Sequence, residues 1–531
     1  MNRQQRRAAA RAGKSSSQPA PRDGAQELRG ILAQAVRRYE SGRFREASQL
    51  CRQIFETDPN NVVALHLTGL MALQGGFNEA ALNALSAAVR ANDKVPDLHS
   101  ALAEALQRLG RFDEAISHYR RALALDARNA ETLYNYGNLL LRLGRCEDAL
   151  LTYEQALAIA PGLAEAVNNR GNAFLELGRY REALAEFNRA VAMRPRFVQA
   201  LSNSANAALR LQRFDEALAS CERALAIDER HVTSLALRGD TYYELRRFAE
   251  AAAAYERLLA VDPDYPYAEG RALYCRLLCC DWTDYDRAIA SVTSKVLVGE
   301  RVAPPFMFLN MVASPEAGLR CAQTYSRDKH PASPEPMWRR ERYAHTKIRI
   351  AYLSADFRHH PMAYLMVGLF ELHDRQRFES TAISFGPDPR DVFRKRLERS
   401  FDQFLDAQTS SDYQIALLLR DLEIDIAIDL MGYTNYSRPG IFTFRPAPIQ
   451  VNYVGFAGSL GSAAIDYIIA DRFIIPENDR RFYSEEVVYL PDTYWPTDSG
   501  RAIETSRPIR SGASLPVSGF VFCCFNQSSK I

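Results

Sequence analysis

The sequence predicts two architectures in series, an α-helical solenoid followed by a doubly wound α/β lobe. Three observations carry that expectation. Gly42, Gly76, Gly110, Gly144 and Gly178 step by 34 residues through the first half of the chain. Between them apolar residues recur at helical spacing, as in "LGRFDEAISHYRRALALDARN" (109–129). After Lys347 the texture changes to short β-branched and aromatic runs that alternate with helical ones.

The 34-residue frame holds beyond its glycines. It continues through Gln212 and Arg246, in "LQRFDEALASCERALAIDER" and "LRRFAEAAAAYERLLAVDPD". Ala115, Ala149, Ala183, Ala217 and Ala251 keep the same step, as small residues must where two helices approach closely. Tyr119, Tyr153, Phe187 and Tyr255 keep it too, with Cys221 breaking the series. Pro59, Pro161, Pro195 and Pro263 end the second helix of their units. The second unit is irregular, with Phe77 one place early and Asn78 in the usual aromatic slot. A 34-residue helix–turn–helix unit of this kind resembles the tetratricopeptide repeat. Seven units span about 28–265, and their stacking implies a superhelix with an extended concave surface.

Two asparagine series fall on the first helices, which line that surface: Asn135, Asn169 and Asn203, and Asn138, Asn172 and Asn206. An amide offers a donor and an acceptor and can grip an extended peptide backbone. The same pattern also suits hydrogen bonds between repeats, and the sequence leaves the two uses open.

Composition bounds the rest. A chain of 531 residues holds two or three domains, and 47% hydrophobic with 24% charged residues is a globular balance. The net charge of +2 favours neither nucleic acid nor a membrane as partner. Residues 1–22 carry six of the basic residues and no acidic one, which leaves −4 (+2 − 6) for the remainder. This segment has no apolar signal core, and residues 1–27 are expected to be a disordered basic tail. No run of about 18 apolar residues follows, so no membrane span is expected. The nine cysteines form no CxxC pair, which reads as reduced, buried thiols in a cytoplasmic protein without a metal site.

Past a helical linker (266–345), "KIRIAYL", "STAISF", "IDIAIDL", "IQVNYVGF", "DYIIAD", "EVVYLP" and "GFVFCCF" read as strands. Helical runs between them imply a parallel sheet covered on both faces, with ligands at the carboxyl ends of the strands. His359 and His360 follow the first strand, Asp429 ends the third, and Gln527 and Lys530 follow the last. A histidine at a strand tip can serve as a general base, although on spacing alone a surface His–His pair is more often bland. "GFAGSLG" (455–461) departs from the dinucleotide fingerprint and reads as a turn.

Taken together, "IRIAYLSADFRHHPMAYLM", "DLMGYTNYSRPGIFTFRPAPIQVNYVGFAGSLGSAAIDYIIAD", "YSEEVVYLPDTYWP" and "FNQSSKI" resemble the O-linked N-acetylglucosamine transferases and their SPINDLY-like relatives. The resemblance spans about 346–531 and includes the repeat array as the usual companion. It implies an inverting, metal-independent glycosyltransferase with two Rossmann-like lobes (GT-B type), of which 346–531 is the first. Such an enzyme moves a sugar from a nucleotide diphosphate, UDP-N-acetylglucosamine or GDP-fucose, onto Ser or Thr of proteins gathered by the solenoid. By the same resemblance His360 is catalytic, while Gln527 and Lys530 bind the nucleotide sugar and Lys530 supports the leaving diphosphate. Ala457 and Tyr364 depart from the family's usual proline and second histidine. The sequence stops at Ile531, where the family has a further lobe, so a truncated and weakly active or inactive transferase is expected. The alternative is a non-catalytic peptide-binding scaffold. Donor sugar, acceptors and oligomeric state stay open.

Overall fold

The structure, a computed structural model, describes residues 22–500, 509–513, 515–516 and 518–519. It forms two compact units, Met1–Gln212 and Arg213–Ile531. The expected strand "GFVFCCF", together with Gln527 and Lys530, lies outside the described residues.

The first unit is all helix. Its helices run Arg22–Glu40, Phe44–Thr57, Val62–Gln74, Asn78–Ala91, Pro96–Arg108, Phe112–Leu125, Ala130–Arg142, Cys146–Ile159, Ala164–Glu176, Tyr180–Met193 and Val198–Arg210. The first begins at Arg22, inside the segment expected as tail. Each pair turns on a left-handed residue, with φ between 71° and 77° at Gly42, Gly76, Gly110, Gly144 and Gly178. Within a pair the packing is close: a Cβ on Gly137 would lie 2.7 Å from the Tyr153 ring, and one on Gly171 2.6 Å from Phe187. The aromatic slot is thus filled because the facing helix offers a bare backbone there. Phe77, one place out of register, is 69% exposed.

The second unit starts with the same repeat texture, in helices Phe214–Ile227, Val232–Glu244 and Phe248–Val261, followed by Ala268–Leu278. Arg246 keeps the left-handed turn (φ 56°) without glycine. Helices Tyr285–Leu297, Pro305–Met311 and Pro315–Lys329 come next, the last two opened by proline where no N–H is needed. The segment 266–345 is more than a connector. Ala322, Tyr325, Phe306 and Met337 pack into the core under the sheet that follows. Cys279 and Cys280 correct the expectation of uniformly buried thiols. The helix stops at Leu278, Cys280 turns left-handed (φ 58°), and both side chains are exposed.

The sheet has seven parallel strands in the order β3-β2-β1-β4-β5-β6-β7. They are β1 (Ile348–Ser354), β2 (Phe378–Ser384), β3 (Gln403–Asp406), β4 (Ile426–Asp429), β5 (Ile449–Asn452), β6 (Tyr467–Ala470) and β7 (Glu486–Tyr489). In sequence β3 reads as a loop; its four residues are too few to show an alternation, and only its pairing with β2 defines it. Five successive buried residues end β1, as a strand covered on both faces requires. Ala351 and Leu353 face one core with Ile383, Ala427 and helix Asp412–Asp421. Ile350 and Tyr352 face the other, with helix Pro361–Glu371.

Candidate active site

The chain leaves β1 for β2 and β3 on one side, then returns to lay β4 on the other. This reversal falls at the carboxyl ends of β1 and β4, the usual ligand position in such sheets. The loop after β1 (355–360) and the residues after Asp429 border it.

His360 sits at the mouth of helix Pro361–Glu371 as its N-cap, 3.3 Å from the Met362 amide through Nδ1. The same nitrogen lies 3.4 Å from Oδ2 of Asp356, which is buried. Burial lowers the pKa of the ring, the Asp356 charge raises it and Arg358 lowers it, with the net shift downward. The imidazole is therefore neutral near pH 7. The Met362 amide donates to Nδ1, so a neutral ring in this geometry carries its proton on Nε2; a base at Nε2 requires Nδ1 to give up that cap and take the proton toward Asp356. Asp356 stands four residues before His360, yet the sequence does not single it out, because the adjacent histidines are the stronger signal there.

The loop that carries this pair is pinned from behind. Arg394, buried, donates from Nη1 to the Phe357 carbonyl and to Ser384 Oγ, both at 2.9 Å, and its guanidinium stacks 4.2 Å over Phe404. Asp356 itself is held by its amide, which donates to Ser354 Oγ (2.9 Å), and by Arg358 (3.2 Å). Gly386 lets the loop pass: a Cβ there would overlap the Ala355 carbonyl.

His359 points elsewhere. It is more than half exposed, pairs through Nε2 with Asp391 (3.1 Å), meets the Tyr364 hydroxyl through Nδ1 (2.5 Å) and stacks on Phe393. Asp429 is fully enclosed at the tip of β4. Burial pushes its carboxyl up to about 7 against the pull of the Met431 and Gly432 amides, and its Oδ2 has no hydrogen-bond partner. The structure thus brings His360 and Asp429 to neighbouring strand ends.

Other motif residues prove structural. In "RPAPIQ", Arg445 donates to Ala464 O (3.1 Å), Pro448 O and Asp466 (both 2.9 Å), and Gln450 donates to Phe442 O (3.0 Å). In "GFAGSLG", Gly455 passes against the Leu430 carbonyl, and Gly461 turns left-handed (φ 60°) against the backbone of Gln323.

In the first unit the asparagines bond to one another. Asn169 donates to Asn138 (2.8 Å), and Asn203 to Asn172 and Asn168 (both 3.0 Å), each bond joining one repeat to the one before. The Tyr153 hydroxyl closes on Asn138 from behind (2.7 Å). Of the two uses the sequence allowed, inter-repeat bonding is the one seen for Asn138, Asn169, Asn172 and Asn203. Asn135 instead lines a groove on the first helices, and Asn206 is half-buried. Among the described residues no group of three or more potential ligands could hold a metal, and no helix is long and apolar enough to cross a membrane.

Comparison with known proteins agrees with this division. Residues 329–509 match the glycosyl transferase family 41 model. Tetratricopeptide-repeat models match 32–98, 95–162, 130–196, 168–231 and 208–277. Fold and matches define a repeat solenoid joined to a glycosyltransferase lobe. An Arabidopsis thaliana protein named probable UDP-N-acetylglucosamine–peptide N-acetylglucosaminyltransferase SEC is 32% identical over 277 residues, 48% of this chain and 28% of its own. The UDP-N-acetylglucosamine–peptide N-acetylglucosaminyltransferase of Caenorhabditis elegans is 28% identical over 241 residues, 43% of this chain and 21% of its own. A solved Thermobaculum terrenum O-GlcNAc transferase mutant is 22% identical, with 63% of this chain and 58% of that one covered at a TM-score of 0.43. The chain's matches are thus to tetratricopeptide repeats in the first part and to glycosyl transferase family 41 in the second, and its relatives include SEC and SPINDLY proteins. The chain spans less than a third of the length of these curated relatives.

Proposed function

We propose that this chain serves protein O-glycosylation, with the solenoid selecting acceptor proteins and the α/β lobe presenting a base to a Ser or Thr hydroxyl. The observation that carries this reading is the Asp356–His360 pair at the strand-order reversal, within the segment that matches family 41. With the ring proton moved to Nδ1 against Asp356, Nε2 of a neutral His360 would take the hydroxyl proton as the oxygen attacks the anomeric carbon. The nucleotide diphosphate leaves with the other bonding pair. Gln527 and Lys530 are proposed to meet that diphosphate, so the scheme calls for no metal. UDP-N-acetylglucosamine is the first donor to test, because the matched relatives carry it in their names, and GDP-fucose is the second. The reading places the protein in the cytoplasm, and free Cys51, Cys146, Cys221, Cys275 and Cys321 in its cores suit a reducing compartment.

The test is calorimetric titration with each donor, together with transfer of radiolabelled sugar to cell-lysate proteins. Label incorporation that His360→Ala abolishes supports the reading. Absence of both donor binding and transfer would leave the scaffold alternative standing.

A further inference from the structure

A groove open to solvent crosses the first helices of the first four repeats. Its walls are aliphatic, from Val63, Leu67, Leu98 and their neighbours. Glu40, Asp97, Glu104 and Glu131 line it, and no lysine or arginine does. Only partial compensation is present. Glu104 pairs with Arg108 at 2.5 Å, and Asp97 accepts a hydrogen bond from Asn129 at 3.2 Å. Burial, with the charge of Asp126, raises the pKa of Asp97, and burial, with the charges of Asp97 and Glu104, raises that of Glu131. An apolar trench with four carboxylates and one internal cation is suited to a segment in which basic side chains are interleaved with small apolar ones.

The chain contains such a segment. Residues 1–21 include Arg3, Arg6, Arg7, Arg11 and Lys14, no acidic residue, and the alanines of "RRAAARAGK". We infer that residues 1–21 dock in this groove and compete there with incoming peptides. The reach is sufficient. Val36, Tyr39 and Glu40 bring the last turn of helix Arg22–Glu40 to the groove, so the segment must run back along a helix of 19 residues, about 28 Å. Twenty-one extended residues span about 70 Å. Tethering also raises the local concentration to about the millimolar range, so contacts too weak to hold a free peptide suffice for an attached one.

The experiment uses the full chain and a fluorescein-labelled synthetic peptide of residues 1–21. Three proteins are compared: wild type, a tail-neutralised chain with Arg3, Arg6, Arg7, Arg11 and Lys14 all changed to Ser, and that chain with Glu104→Gln and Glu131→Gln added. The tail-neutralised chain should bind the peptide about tenfold more tightly than wild type, because the tethered competitor is gone. The added groove substitutions, or 0.5 M salt, should remove the gain. Carbodiimide treatment of dilute wild type should link Lys14 to a groove carboxylate, which peptide mass mapping detects without any substitution. Equal peptide affinity for wild type and the tail-neutralised chain would overturn the inference. So would a Lys14 link only to carboxylates outside the groove. Neither readout requires sugar transfer, so this inference and the transferase reading fail separately.

Discussion

Glycine does opposite work at the turns of the repeats and beside the strand ends of the lobe. In the repeats it supplies a left-handed turn, and the structure shows that the turn survives its loss: Gln212 (φ 58°) and Arg246 (φ 56°) hold the place of Gly178 (φ 71°). In the lobe it supplies space. A Cβ on Gly455 would overlap the Leu430 carbonyl, and one on Gly386 the Ala355 carbonyl, with backbone on both sides of each clash. A conformational cost of about 1–2 kcal/mol can be absorbed by a stack of repeats. A steric collision beside a single-copy site cannot. Periodicity makes one half tolerant, and the meeting of strand ends and loops at a single-copy site makes the other brittle.

The site should show that brittleness most. His360→Ala should lower kcat about 10²–10⁴-fold if the ring is the base, while the melting of the repeats stays unchanged. Asp356→Asn keeps the shape of the partner but removes the charge that favours a proton on Nδ1, and should cost about 10- to 100-fold. Because burial lowers the His360 pKa below 6.5, the wild-type rate should hold at pH 7 and fall only as the pH drops below that value. A kcat in His360→Ala within about twofold of wild type would remove the assignment.

Asp429 extends the comparison to stability, since among the described residues it is the carboxyl whose burial pushes it up to about 7. The folded chain holds this proton more tightly than the unfolded chain, whose carboxyl titrates near 3.8. Its contribution is therefore fully present below pH 3.8 and is lost as pH rises through about 7. A tenfold difference in proton affinity between the two states is worth about 1.4 kcal/mol, so the loss amounts to a few kcal/mol. Asp429→Asn keeps an acceptor for the Met431 amide (2.9 Å) and does not titrate. The variant should gain stability over wild type from about pH 4 to about pH 7 and then level off, in urea unfolding of the lobe. A difference that stays flat with pH would show that Asp429 is ionised throughout.

The glycine contrast itself can be broken directly. Gly455→Ala should destabilise the lobe by about 3 kcal/mol, at the upper end of overpacking, because the atom it meets is backbone and cannot rotate away. Gly178→Ala meets nothing within 4 Å and should cost only about 1 kcal/mol, through its φ of 71°. Urea midpoints read by probes in each unit separate the two. Equal losses would show that the lobe glycine has the freedom of the turn glycine.

What can be read in advance follows the same division. The repeat frame is legible because a turn, a small residue and an aromatic recur at one spacing, so each unit confirms the next. The sheet is legible wherever a strand is a continuous apolar run, as β1 is, and β3 escapes because Gln403–Asp406 is too short to carry a pattern. His360 stands out through its motif. Asp356 and Arg394 do not, because the Asp356 contact depends on how the loop curls and Arg394 reaches that loop from a helix 37 residues from the carbonyl it holds. The asparagine series is visible, but a spacing of 34 cannot show whether amides meet a peptide or one another.

The smallest effect tests whether the array merely tolerates its missing glycines or uses them. Arg246 is exposed, donates its amide to the Tyr243 carbonyl (2.9 Å) and holds φ at 56°. Arg246→Gly relieves a left-handed cost of about 1–2 kcal/mol and adds back about 0.5–1 kcal/mol of chain entropy in the unfolded state. The net expectation is a stabilisation of about 0.5–1 kcal/mol, read as slower amide exchange in helices Val232–Glu244 and Phe248–Val261. No such gain is available at Gly144, where the turn already has its preferred residue and Gly144→Arg should lose about as much as Arg246→Gly gains. If Arg246→Gly instead speeds exchange, the arginine side chain contributes a contact that outweighs its backbone cost, and the turn at 246 has been specialised rather than relaxed.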